Sequence, residues 1–255
     1  MKQHILEALR HLEVQHNIRI LYAVESGSRA WGFASTDSDW DVRFIYIHRP
    51  EWYVSIDEQK DSITQMLPQD LDVSGWEIRK ALRLFRKSNP PLLEWMRSPL
   101  VYLEQGDFTS KLRLLEQQYF NPKSCLYHYF QMAKGNFREY LKDDFVKTKK
   151  YFYVLRPVLA CQWIEQNNSV PPMEFQTLLD SQVEDTALKA SIEELLVRKR
   201  SGIELGIEPK IQGINDFLEA QIQHFEEYIS HFNHIAQPET AQLNQLFRDT
   251  LNEWK

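Results

Sequence analysis

A strand-like run that ends on a glycine turn, followed closely by a pair of acids, restricts this chain more than any other feature. Asn17 to Glu25 (NIRILYAVE) is rich in Ile, Leu, Val and Tyr, which predicts a buried strand. Gly27-Ser28 falls where that strand should end, and Asp39-Trp40-Asp41 follows. Asp41 opens a second strand-like run, Asp41 to Ile47 (DVRFIYI). Side chains two apart in a strand share a face, so Asp39, Asp41 and Arg43 are expected on one side. Two carboxylates aimed at one spot repel unless a cation sits between them, an arrangement that divalent metals use in phosphoryl transfer. Paired Asp residues in a loop also serve as turns and caps, so these two alone leave both readings open.

A third acid shifts the balance. Asp72 lies in Leu71-Asp72-Val73, ahead of a helix expected over Trp76 to Ser88. An Asp inside a short apolar strand is uncommon without a partner. Facing the first pair from a neighbouring strand, it would complete a three-carboxylate cage for two Mg²⁺ (or Mn²⁺) ions. A single ion with Asp72 as base is the other arrangement. Backbone N–H groups at the Gly27 turn can cradle phosphate oxygens, with the Ser28 hydroxyl adding a hydrogen bond. Arg29 is placed to reach a phosphate or to pair on the surface. Arg43 is placed to neutralise the acids, touch a triphosphate or form a structural ion pair.

These residues carry a resemblance. Gly27-Ser28, ten residues, then Asp39-x-Asp41 and a distant Asp resembles the DNA polymerase beta-like nucleotidyltransferase superfamily. The strings Gly27-Ser28-Arg29-Ala30-Trp31-Gly32, Ser38-Asp39-Trp40-Asp41-Val42-Arg43 and Asp72-Val73-Ser74-Gly75-Trp76-Glu77 are more specific. With Lys80, Asn89-Pro90 and Leu93-Glu94-Trp95, they are similar to bacterial and phage nucleotidyltransferases associated by name with RNA ligase and RNA repair. The resemblance covers residues 15 to 180 and none of the three acids departs from it. It implies an α+β chain: a mixed-sheet, polymerase beta-like N-terminal domain followed by an all-helical domain. It also implies transfer of a nucleoside monophosphate from a nucleoside triphosphate to a hydroxyl, with an RNA end as favoured acceptor. One lysine of the helical domain, Lys149 or Lys150, would hold the triphosphate.

Texture along the chain agrees with two parts, residues 1–108 and 109–255. Strands are expected near 19–25, 41–47, 61–67, 71–75 and 100–103, and the remainder after residue 110 is helical in pattern. Such a pairing would leave a cleft for ligands between the parts. Ile214, Phe217, Leu218, Ile222, Phe225, Tyr228, Ile229 and Phe232 keep helical spacing and predict packing rather than a ligand box. Lys134 to Arg156 holds seven Lys or Arg against three acids, interleaved with aromatics. That mix suits an RNA backbone with stacked bases, or a solvated basic helix face. Lys149, Lys150, Tyr151 and Arg156 are its strongest candidates.

Other classes are weakened. The net charge of −6 does not suit broad electrostatic binding to nucleic acid, and leaves a protein or small-molecule hydroxyl as a further acceptor. A non-catalytic nucleotide-binding regulator or toxin–antitoxin partner is the reading from another class, and three intact acids speak against it. No P-loop or Rossmann glycine string occurs. His231 and His234 are three apart but no nearby acid or cysteine completes a metal site. The two cysteines, Cys125 and Cys161, imply no disulfide and fit a reducing cytoplasm. No apolar run reaches membrane-span length, and Met1 to His11 predicts an amphipathic helix rather than a signal peptide. Any protein partner is left unspecified by the sequence.

Overall fold

A computed structural model describes residues 1–202, 206–231 and 238–254, and places them in two units. Phe232 and His234 lie outside the described residues. The first unit comprises Met1–Ala30, Asp39–Phe120 and Gln237–Lys255. Its centre is a five-stranded sheet of order β3-β4-β2-β1-β5. The strands are β1 (Ile18–Glu25), β2 (Trp40–His48), β3 (Ser62–Leu67), β4 (Leu71–Glu77) and β5 (Val101–Glu104). β2 and β4 run parallel; the other pairs are antiparallel.

Burial explains the apolar runs. β1 is central and covered on both faces, so every residue but Arg19 is buried. Helix α1 (Lys2–His16) covers one face with Ile5, Leu9 and Leu12, spaced for a single stripe. On β2 and β4 that face carries Val42, Phe44, Tyr46, Leu71 and Val73. The alternate residues look the other way, where Trp76 stacks on Trp95 at 3.9 Å between ring centroids. Trp95 belongs to α5 (Pro90–Met96), and its carbonyl accepts a hydrogen bond from Tyr22 Oη at 3.1 Å.

Short elements α2 (Gly27–Ala30) and α3 (Pro50–Tyr53) join the strands, and α4 (Ile78–Arg86) follows β4. The expected helix over 76–88 begins later because Trp76 and Glu77 still belong to the strand. The Glu77 carboxylate caps the helix, accepting from Arg79 N at 2.9 Å. At its other end Ser88 turns left-handed at φ 52°.

The second unit comprises Trp31–Ser38 and Asn121–Ala236. It contains α7 (Pro122–Tyr140), α8 (Tyr151–Asn167), α9 (Phe175–Gln182), α10 (Thr186–Arg200) and α11 (Gln212–Ser230). A two-stranded ribbon, β6 (Phe145–Lys147) with β7 (Ile207–Pro209), interrupts the expected helical texture. Phe33, Phe152 and Phe175 meet in its core, with centroids 4.9 to 5.7 Å apart.

The two units are bounded differently from the single division at residues 108 and 109 read from sequence. Helix α6 (Phe108–Tyr119) stays with the sheet because Arg113 donates to Tyr22 Oη at 3.1 Å and pairs with Glu104 at 2.8 Å. Helix α12 (Ala241–Asn252) returns to the same unit, burying Leu243 and Leu246 and setting Phe247 edge-on to Tyr53.

Gly75 tests this packing. A Cβ there would come within 2.1 Å of the buried Phe44 ring. Gly75→Ala is expected to cost about 1–3 kcal/mol through overpacking. Urea unfolding should show a lower midpoint, with the native far-UV signal retained before the transition.

Candidate active site

The end of β1, the Gly27 turn and the start of β2 are tied together by backbone. Ser26 N donates to Asp41 O at 2.8 Å. Gly27 then adopts φ +58°, and a Cβ on it would lie 2.1 Å from Asp41 Oδ2. Only glycine meets both conditions: the left-handed backbone and the close approach of a carboxylate.

Parallel pairing puts Asp41 of β2 directly beside Asp72 of β4. The two side chains share a face and are bridged by one guanidinium. Arg43 Nη2 donates to Asp41 Oδ1 at 3.0 Å and to Asp72 Oδ2 at 2.8 Å. Its Nη1 donates to the carbonyls of Val42 at 3.2 Å and Asp72 at 3.1 Å. All three side chains are half-buried. Burial pushes the Asp41 carboxyl above its usual range. Arg43 opposes that shift, while Asp72 and Asp39 reinforce it.

Asp39 sits differently. It precedes β2 and is exposed. Its carbonyl accepts from Arg29 Nε at 3.1 Å, and the Arg29 guanidinium lies 3.7 Å from the centroid of the Trp40 ring. The three acids therefore do not form a closed cage. Among the described residues, no three His, Cys, Asp or Glu side chains gather closely enough to hold a metal ion. The donor set still fits Mg²⁺ or Mn²⁺ of the kind completed by substrate phosphates, which needs only one or two protein carboxylates. Arg43 engages Asp41 Oδ1 and Asp72 Oδ2, leaving Asp41 Oδ2 and Asp72 Oδ1 as free oxygen donors.

Ser28 lies half-buried in α2 beside Gly27. Lys149 and Lys150 belong to the second unit, in a single turn of 3₁₀-helix before α8. Lys149 is exposed, while Lys150 Nζ sits over the Tyr140 and Tyr153 rings at 4.3 and 4.7 Å. Two other members of that basic segment turn inward. Tyr151 is fully buried and its Oη donates to Asn215 Oδ1 at 2.5 Å. Arg156 is 3% exposed, 4.9 Å from the centroid of the Trp31 ring, and donates to Met173 O at 3.4 Å. Neither side chain is available to RNA. Helical spacing alone could not reveal this, because the Arg156 partners come from distant segments.

Two residues missed in the sequence stand out. Lys199 Nζ donates to Ser35 Oγ at 2.9 Å, within the loop that leads to Asp39, and no local pattern marks it. Glu25 is fully buried at the end of β1, where its Oε1 accepts from Asp41 N at 2.8 Å. An acid closing an apolar strand was the available signal, the same one that singles out Asp72.

Gly27→Ala is expected to destabilise the first unit by about 1–2 kcal/mol for the left-handed backbone alone. It should also displace the Asp41 carboxylate, visible as a changed Asp41 side-chain carboxyl resonance in NMR and a lower urea midpoint.

Over residues 1–249 the sequence matches the RNA repair pathway DNA polymerase beta family, RlaP. It is 49% identical over 256 residues to "Uncharacterized protein YcgL" of Bacillus subtilis (strain 168), covering 100% of this chain and 98% of that protein. A crystal structure of a nucleotidyltransferase-like protein from Exiguobacterium sibiricum 255-15 is similar over 97% of this chain and 89% of its own, at 12% identity and a TM-score of 0.34. So distant a structural likeness adds nothing to the sequence match. The chain belongs to the RNA repair pathway DNA polymerase beta family.

Proposed function

We propose that this protein is a metal-dependent nucleotidyltransferase. It moves a nucleoside monophosphate from a nucleoside triphosphate to an acceptor hydroxyl and releases pyrophosphate. The observation that carries this reading is the Asp41–Arg43–Asp72 cluster beside the Gly27 turn. Family membership and the Asp39-x-Asp41 spacing support it.

Asp41 and Asp72, with Asp39 at the rim, would hold Mg²⁺ or Mn²⁺. When bound, the cation neutralises charge on the triphosphate and favours the alkoxide form of the acceptor. Gly27 and Ser28 receive the outer phosphates through backbone N–H and hydroxyl, and Arg29 lies beside them as a further cation. The acceptor oxygen bonds to the α-phosphorus while the bond to the β-phosphate oxygen breaks. The electron pair leaves with pyrophosphate. The hydroxyl proton goes to Asp72 Oδ1, which Arg43 does not engage, where Asp41 alone holds the cation, and to water where Asp72 is also a ligand. Arg43 opposes the rise that burial imposes on the Asp41 carboxyl and pairs with both acids in a half-buried place.

RNA is the favoured acceptor because of the family's repair context. A protein or small-molecule hydroxyl is the second reading, favoured by one observation: burial of Tyr151 and Arg156 shrinks the basic, aromatic surface that RNA would use. Incubation with each α-³²P nucleoside triphosphate and Mg²⁺ or Mn²⁺, offering RNA and protein fractions, separates these acceptors. Label in no fraction would overturn the proposed activity. Asp41→Asn and Asp72→Asn should keep the fold and cut turnover about a thousandfold, the scale of ~4 kcal/mol of lost transition-state stabilisation.

The cation of the second unit is open to a separate measurement. Lys149 is the exposed member of the pair, so Lys149→Ala should weaken phosphate binding more than Lys150→Ala. One charge-assisted contact contributes about 1.5–3 kcal/mol, or roughly tenfold to a hundredfold in affinity. A raised KM for the nucleotide would identify a triphosphate contact. A shallower salt dependence of RNA binding would identify an RNA backbone contact instead. No change in either would make Lys149 a solvated surface residue.

A further inference from the structure

Asp41 occupies an awkward place in the sheet. The β1–β2 ladder ends at the Glu25 to Val42 pair, one residue short of it. Its carbonyl is held by Ser26 N, but its own N–H has no backbone partner across the ladder. The Glu25 side chain supplies the acceptor, Oε1 to Asp41 N at 2.8 Å. Glu25 is held in turn. Tyr102 Oη donates to Glu25 Oε2 at 2.5 Å, and Ser98 Oγ donates to the Glu25 carbonyl at 2.6 Å. Glu25 N donates to Leu100 O at 2.9 Å.

This carboxylate is fully buried and, among the described residues, forms no ion pair. A buried carboxylate without an ion pair is costly for a strand to keep. The one it keeps here touches the backbone of the residue that faces Gly27 and Arg43. We propose that Glu25 is a positioning residue for nucleotidyl transfer, fixing the Asp41 peptide so that its carboxylate meets the reacting phosphates in one geometry, with Tyr102 fixing Glu25.

The inference rests on the reading of Asp41 as part of the transfer site. Its physical basis is general: catalytic groups must be held within a fraction of an ångström, and a 1 Å displacement can cost about a hundredfold in rate. Glu25 touches neither nucleotide nor acceptor in this scheme. Its loss should therefore act on kcat through Asp41, while the Gly27-Ser28 turn and nucleotide KM stay nearly unchanged.

Three variants of the full chain test this. Glu25→Leu removes the acceptor while filling the same space. Glu25→Gln keeps an acceptor for Asp41 N and a group that can bond to Tyr102 Oη. Tyr102→Phe leaves Glu25 in place and removes its support. Each is assayed below its own unfolding temperature, for kcat, nucleotide KM and hydrogen exchange of the Asp41 amide without nucleotide or metal. Glu25→Leu should lose Asp41 amide protection and about a hundredfold in kcat, with KM within a fewfold. Glu25→Gln should restore the protection and most of the rate. Tyr102→Phe should fall between them, and it carries the test should Glu25→Leu fail to fold. A Glu25→Leu protein, or in its place Tyr102→Phe, with wild-type kcat or an Asp41 amide still protected overturns the inference alone. A wild-type protein that labels no acceptor overturns the proposed function first, and this inference with it.

Discussion

Two like charges on neighbouring strands are the constraint around which the first unit is arranged. Parallel pairing of β2 with β4 makes Asp41 and Asp72 immediate neighbours, and partial burial leaves little water to screen them. Arg43 makes the arrangement tolerable by reaching both from one nitrogen while its other nitrogen binds two carbonyls. A lysine could not do this, because an ammonium is a point charge without the planar fork. The same guanidinium leaves one oxygen on each acid uncommitted. Repulsion, neutralisation and ligand availability are thus settled by a single side chain two residues along from Asp41.

The surroundings serve that arrangement. Gly27 yields the space that a Cβ would take from Asp41 Oδ2. Glu25 completes the hydrogen bonding that the β1–β2 ladder leaves unfinished. The sheet behind them is closed by α1 on one face and by the Trp76–Trp95 stack on the other. An apolar, tightly filled sheet does not deform easily, so the residues at its rim inherit its rigidity.

Much of this was readable from local pattern. β1, β2 and β4 are apolar runs ended by Gly, Asp or a helix cap, and their positions follow from that alone. Strand parity placed Asp41 and Arg43 on one face. What parity cannot supply is which strand lies next door and in what register, since that depends on non-local pairing. The contact between Asp41 and Asp72 needed the structure for this reason, and so did the open position of Asp39. Arg156 illustrates the opposite limit. A basic residue among aromatics looks like a nucleic-acid contact until Trp31 and Met173 close over it. Helix α12 gave no local hint of its destination, because an amphipathic stripe records that a face is buried and not against what.

That destination has a consequence for how the protein comes into being. The sheet is encoded before residue 105, yet the unit that holds it also includes α12, which follows the whole helical unit in the sequence. A ribosome delivers the entire second unit before that helix emerges. Domains assemble as their parts appear during synthesis. The helical unit can thus mature on the ribosome while the unit that bears Asp41 and Asp72 still waits for the helix that packs against α4 and α6. A nascent chain stalled or clipped before residue 241 would carry every candidate acid and still lack a completed fold around them.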